Sequence, residues 1–212
     1  MITDDARIVD PKSCQLESWV RSFRGAGTEY WALPGCNPFG GFEFTLGPAH
    51  ASLPDKQGDW KTLWQFKTLF KELETNGWGW GFALGNLSSR PYEPFLKSKE
   101  LFVNVPISAS FMDDKVVMHL NIGGAHTRGN SGSFAYTWGL GTEIELTEKI
   151  YLIAETYSQR DLPVEGQLGI RYWIVKDRVQ VDATVGTELT GSVVHGRWFT
   201  IGLRLLSPAF LP

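Results

Sequence analysis

Few residues of this chain carry obvious chemistry, and they are scattered: four histidines, two cysteines, and acids and bases without a catalytic spacing. His119 and Asn121 share one face of an alternating run, and a histidine with an amide residue suits a lipid hydrolase if a serine nucleophile lies within hydrogen-bond reach. No GxSxG or other nucleophile motif accompanies them, and His119 is expected to point away from lipid, so catalysis is not expected. His50, His126 and His195 fall in or near predicted loops, where a solvated histidine is the ordinary reading. Glu143 and Glu145 recur at the strand period and read as charges on one strand face more readily than as a glycosidase pair. Asp4-Asp5 and Asp113-Asp114 lack the series of oxygen ligands that calcium needs, so neither a metal nor a cofactor is expected.

The cysteines carry a geometric argument. If Arg24 to Ala26 is a hairpin tip, opposed residues have numbers summing to 50. That sets Cys14 opposite Cys36 and Arg21 opposite Glu29, and directly opposed cysteines can reach disulfide geometry. A Cys14–Cys36 disulfide is therefore predicted, with Arg21 and Glu29 as an inward ion pair. Such a bond belongs to an oxidising compartment.

What positions these residues is a strict alternation. From Val179 to Leu189, Val179, Val181, Ala183 and Val185 lie on one face against Gln180, Asp182, Thr184, Gly186 and Glu188 on the other. From Arg197 to Leu205, Phe199, Ile201, Leu203 and Leu205 oppose Thr200, Gly202 and Arg204. A period of two over about 9–11 residues is that of a tilted strand crossing a bilayer. Twelve strands are predicted, near 14–22, 28–36, 39–48, 58–71, 78–87, 98–111, 115–126, 134–147, 150–158, 164–174, 178–188 and 197–206. Their connections alternate between short ones and mostly longer ones rich in Gly, Pro and Ser, which places both termini in the periplasm. The fold class expected is all-β: a single transmembrane antiparallel up-and-down barrel. One domain spans 1–212, with 1–13 as a periplasmic N-terminal segment and 207–212 as a C-terminal tail.

Three details turn the apolar face outward. The polar face is rich in glycine, as at Gly79, Gly81, Ala83 and Gly85 opposite Trp78, Trp80, Phe82 and Leu84, and a crowded interior needs that space. Aromatics gather near strand ends, with Trp60, Phe134, Tyr136 and Trp198 toward the outside and Phe42, Phe70, Trp78, Phe111 and Tyr172 toward the periplasm. The polar face also mixes signs. Its expected pore-lining set is Arg21, Glu29, Glu43, Lys61, Lys67, Lys71, His119, Asn121, Glu143, Glu145, Glu155, Arg171, Asp182, Glu188 and Arg204, with the three lysines forming a ladder against acids of strands eight and nine. Twelve strands give a backbone cylinder of roughly 24 Å and a bore of at most ~10–12 Å.

Composition sets wider bounds. The 212 residues carry a net charge of −3 without a basic run, which argues against a nucleic-acid partner. A mean hydropathy of −0.15 suits a barrel, in which polar and apolar residues alternate. No export signal precedes Asp4, so Met1 reads as a replacement start on a mature sequence.

Two stretches resemble a known family. Ile2-Thr3-Asp4-Asp5 followed by Gln15-Leu16-Glu17, and Gly169-Ile170-Arg171-Tyr172-Trp173 followed by Val179-Gln180-Val181-Asp182, are similar to the outer-membrane channel family associated with the meta-pathway of phenol degradation. The resemblance implies a monomeric twelve-stranded outer-membrane barrel that passes small molecules. The ending Ser207-Pro208-Ala209-Phe210-Leu211-Pro212 departs from the usual terminal aromatic on the last strand. The function expected is passive diffusion of small molecules or ions, hydrophobic or aromatic compounds among them, with membrane lipid and lipopolysaccharide as surroundings. The alternatives are a phospholipase-like enzyme and a closed structural barrel.

Overall fold

The computed structural model describes residues 3–53, 56–90, 99–128, 133–159, 162–190 and 196–212. Twelve strands follow one another: β1 (Ser13–Phe23), β2 (Gly27–Asn37), β3 (Phe42–Leu53), β4 (Lys56–Lys71), β5 (Trp78–Arg90), β6 (Lys99–Phe111), β7 (Val116–Arg128), β8 (Ser133–Thr147), β9 (Ile150–Gln159), β10 (Glu165–Val175), β11 (Val179–Glu188) and β12 (Arg197–Leu206). Each pairs antiparallel with its sequence neighbour, and β1 pairs with β12, so the sheet closes on itself. β1 begins and β12 ends at one rim, the terminal rim, with the turns before β3, β5, β7, β9 and β11.

The twelve predicted strands are all present, but β3 runs on to Leu53, where Pro48 suggested a loop. Proline lacks the N–H that a ladder needs, and the barrel accommodates it by interrupting pairing locally. The β2–β3 ladder breaks between Trp31↔Ala49 and Gly35↔Thr45, a stretch that holds Pro34 and Pro48. Likewise the β5–β6 ladder breaks between Trp80↔Ile107 and Ala83↔Asn104, beside Pro106.

The alternation sorts side chains as expected. Phe199, Ile201 and Val185 are 47%, 54% and 59% exposed on the outside, whereas Gln180 and Arg171 on the same sheet are buried inside. An apolar exterior of this extent around a polar interior is the surface of a membrane barrel, where acyl chains meet the wall. Trp60, Phe134 and Tyr136 are exposed toward one rim, and Phe70, Trp78, Phe111 and Tyr172 toward the terminal rim. Trp198 is a correction to the expected belt. Its ring is 4% exposed and turns inward, into space left by Gly186 opposite it.

Cys14 and Cys36 face each other in the β1–β2 ladder and form a disulfide. The expected periplasmic position of residues 1–13 is revised for the part described. Thr3, Ala6 and Val9 are buried. The segment enters from the terminal rim and runs up inside the barrel, because its main chain finds partners on the wall there.

Candidate functional site

The lumen is built from the inward face of every strand and from this N-terminal segment. An irregular segment inside a barrel cannot leave its amides unpaired, so the wall must supply acceptors. Four main-chain N–H groups donate to wall side chains: Thr3 to Glu155 at 2.7 Å, Asp4 to Asn121 at 2.8 Å, Ala6 to Ser108 at 2.8 Å and Val9 to Glu43 at 2.9 Å. In return, Asn121 Nδ2 donates to the Asp4 carbonyl at 2.7 Å and Asn37 Nδ2 to that of Val9 at 2.7 Å. Gly139 leaves room for the end of the segment, since a Cβ there would stand 2.9 Å from Thr3 Oγ1.

Charge reinforces the attachment. Lys67, 6% exposed, lies 2.6 Å from Asp4 and 3.3 Å from Asp5. Arg7 reaches Glu143 at 3.5 Å, and Glu143 also binds Arg171, whose Nε and Nη2 each meet Asp182 at 3.0 Å. Beside them Arg204 pairs with Glu17 at 3.3 Å and donates to Gln15 at 2.8 Å, and Gln15 donates to Glu43 at 2.8 Å. Ions this enclosed persist only when paired and hydrogen-bonded.

Of the expected lumen residues, Arg21, Glu29, Glu43, Lys61, Lys67, His119, Asn121, Glu143, Glu145, Glu155, Arg171, Asp182, Glu188 and Arg204 occupy inward positions in the alternation. Lys71 does not. A bulge between Leu69 and Lys71 sets it opposite outward Trp80, and its Nζ lies 4.3 Å from the Trp78 ring centroid. The lysine ladder is therefore replaced: Lys67 serves the N-terminal segment, and Lys61 pairs with Glu29 at 3.2 Å. Arg21 and Glu29 keep the expected register without forming the expected ion pair, because Glu29 turns to Lys61 while Arg21 lies against the Trp198 ring at 5.6 Å.

The expected lumen set omitted Gln15, Glu17, Ser108 and Gln167, which the same alternation places inward, and Gln180, already read on the polar face of its strand; nothing periodic marked Thr3 to Val9. Ser108 bears on the hydrolase alternative. It lies opposite His119 in the β6–β7 hairpin, 2.8 Å from Nδ1, while Glu143 is 3.7 Å from Nε2. These are the residue types of a hydrolytic triad. Both Ser108 and His119 are fully buried, however, and Ser108 Oγ already accepts the Ala6 amide. In this state the serine holds the segment and offers no face to a substrate. His50 and His126 sit within β3 and β7 and not in loops, His50 with its ring 4.7 Å from that of Trp60. His195 lies outside the described residues.

Beside the segment a cavity of about 650 Å³ remains, its lining running from Gln15, Gln180 and Arg204 near the terminal rim to Glu29 and Glu165 toward the other. Asp4, Asp5 and Arg7 line it on the segment's side, and Trp19, Arg21, Glu29, Trp31 and Tyr157 on the wall. Chemically, it is a polar vestibule with an aromatic patch.

The barrel is similar to that of a KdgM porin, with a TM-score of 0.66 at 10% identity over 90% of this chain and 98% of that one. It also resembles LpxR from Salmonella typhimurium, at 0.56 and 7% identity over 90% and 99% of the two chains. For outer membrane phospholipase A from Escherichia coli the values are 0.52 and 11% over 93% and 91%. At such identities the likeness is one of fold, and that fold is an outer-membrane barrel. No curated protein matches the chain in sequence. The comparisons share with the phenol meta-pathway resemblance the barrel architecture and lead no further toward that pathway. With the family model matched across residues 1–206, the chain belongs to the family described as Uncharacterised conserved protein UCP029691.

Proposed function

We propose that this protein is an outer-membrane channel for passive entry of small solutes, with Thr3 to Val9 acting as its gate and the terminal rim in the periplasm. The observation that carries the reading is the pairing of an apolar outer wall with a charged lumen that one segment, Thr3 to Val9, occupies in part. A barrel meant only as an anchor has no use for a water-lined vestibule of about 650 Å³. Every strand is paired around the closed sheet, which favours a monomer in contact with lipid and lipopolysaccharide. Small size is the limit on cargo. Hydrophobic or aromatic compounds find one apolar surface in the lumen, the stacked Trp19 and Trp31 with ring centroids 5.2 Å apart.

The test is single-channel conductance in planar bilayers, with reversal potentials in a salt gradient, for the full chain and for a variant lacking residues 1–9. Rare openings in the former and a steady open level in the latter are expected. Absence of conductance from both rules the channel out. The lipid-hydrolase alternative rests on the Ser108–His119 contact, and ester hydrolysis abolished by Ser108→Ala would establish it.

A further inference from the structure

We propose that the vestibule holds a small monocarboxylate bearing a six-membered ring, its carboxylate bound by Arg21 and a face of its ring laid against Trp19 and Trp31. This names a solute class for the channel reading and rests on it only for biological sense, since binding to the folded chain in detergent requires no passage.

The argument begins with what sets Arg21 apart from the other cations of the lumen. Arg7, Lys61, Lys67, Arg171 and Arg204 each have a carboxylate within 4.0 Å. Among the described residues Arg21 has none. The acid opposite it, Glu29, is taken by Lys61 at 3.2 Å. The guanidinium rests instead near two rings, 5.6 Å from the Trp198 centroid and 5.9 Å from that of Phe23, which orient it without neutralising it. Its Nε is buried with no hydrogen-bond partner.

One hydroxyl beside it shares that condition. Thr200 is the cross-strand neighbour of Arg21 in the β1–β12 ladder, and its Oγ1 is buried without a partner. Tyr157, on the wall of the same cavity, has its hydroxyl beside Glu165. Unsatisfied buried polar atoms are rare because burial without a partner is costly, and two on adjacent residues of one cavity point to a ligand that completes them. A guanidinium with a hydroxyl donor beside it is matched by a carboxylate, which accepts several hydrogen bonds at once.

The remaining walls define the rest of the molecule. Trp19 follows Arg21 on the inward face, one step along β1, and stacks on Trp31 with an interplanar angle of 11°. This offers a flat apolar surface for a ring. Glu29 and Glu165 also line the cavity and repel a second negative charge, so one carboxylate is preferred over two. A volume of about 650 Å³ is that of a small-molecule site. Aromatic acids and sugar acids share this chemistry.

The experiment is isothermal titration calorimetry on the full chain folded in detergent. Sodium benzoate and sodium glucuronate are the ring acids, benzyl alcohol and methyl glucoside the uncharged rings, and sodium acetate the acid without a ring. At least one ring acid is expected to bind about tenfold more tightly than its uncharged counterpart and than acetate. Arg21→Gln should abolish that tenfold difference and leave the uncharged ring unaffected. Response to benzoate alone assigns aromatic acids, and to glucuronate alone sugar acids. Equal binding of charged and uncharged rings, an unchanged acid affinity in Arg21→Gln, or no heat from either acid at about 10 mM overturns the proposal. Thr200→Val, expected to weaken the acid by about fivefold, serves if Arg21→Gln fails to fold as judged by unboiled gel mobility. Conductance without acid binding removes the site and leaves the channel; acid binding without conductance does the reverse.

Discussion

Asn121 holds Asp4 from both sides of its main chain, accepting the amide at 2.8 Å through Oδ1 and donating to the carbonyl at 2.7 Å through Nδ2. The side-chain amide thus acts as one rung of a β-ladder for a segment that has no strand beside it. Replacing it with Asn121→Leu removes both bonds and leaves two main-chain groups unpaired in the lumen. At about 1 kcal/mol for each bond, the open population should rise by at least about tenfold. Single-channel open probability measures this. An unchanged value would mean that the segment is not the gate.

Lys67 is the second anchor, and its loss should be more damaging than that of Asn121. Lys67→Met strands the Asp4 and Asp5 carboxylates beside an apolar group, a disruption that typically costs about 3–5 kcal/mol when one member of a buried pair is removed. The triple change Lys67→Met, Asp4→Asn, Asp5→Asn should recover much of that loss. Urea unfolding in detergent, followed by tryptophan emission, compares the two.

Gly186 leaves the space that Trp198 fills. A Cβ at position 186 would stand 2.2 Å from Trp198 Cε2, so Gly186→Val must displace the indole. The hydrogen bond from Trp198 Nε1 to Gln167 at 3.2 Å is then lost, and overpacking adds about 1–3 kcal/mol. The indole N–H resonance of Trp198 should shift toward that of a free indole, and melting should occur at lower temperature.

Asp114 lies in the turn between β6 and β7, outside the spanning strands. Hydrogen bonds from Ser110 and from Thr75 Oγ1, the latter at 2.6 Å, hold its carboxyl below the ordinary value of 3.8. A carboxyl held low in the folded state contributes stability above its unfolded value and loses that contribution as pH falls through the folded one. The double variant Ser110→Ala, Thr75→Val should return Asp114 toward 3.8, read from its side-chain carbon resonance during an acid titration.

The wall was legible in the sequence because a period of two sorts residues by polarity, and β11 and β12 display it without exception from Val179 to Gly186 and from Phe199 to Leu205. The Cys14–Cys36 pair was legible for a related reason: a short hairpin turns sequence number into position. The same arithmetic on the expected three-residue turn at 112–114 sets Ser108 opposite Met118; the turn takes one residue more, and that brings Ser108 opposite His119. Lys71 was misread because a single extra residue in a strand flips the face, and a bulge leaves no mark on composition. Trp198 was misread because ring size outweighed parity, although its even position beside Thr200 and Gly202 pointed inward. Thr3 to Val9 had no periodicity to read. Their place follows from wall side chains far along the chain, and those become neighbours only after closure.

That distance has a temporal side. Thr3 is 152 residues from Glu155, and Asp4 is 117 from Asn121. The residues ahead of β1 must therefore stay uncommitted until β9 is in place, and they seat themselves only in a finished cylinder. The finished cylinder thus takes up the part of the chain that precedes it.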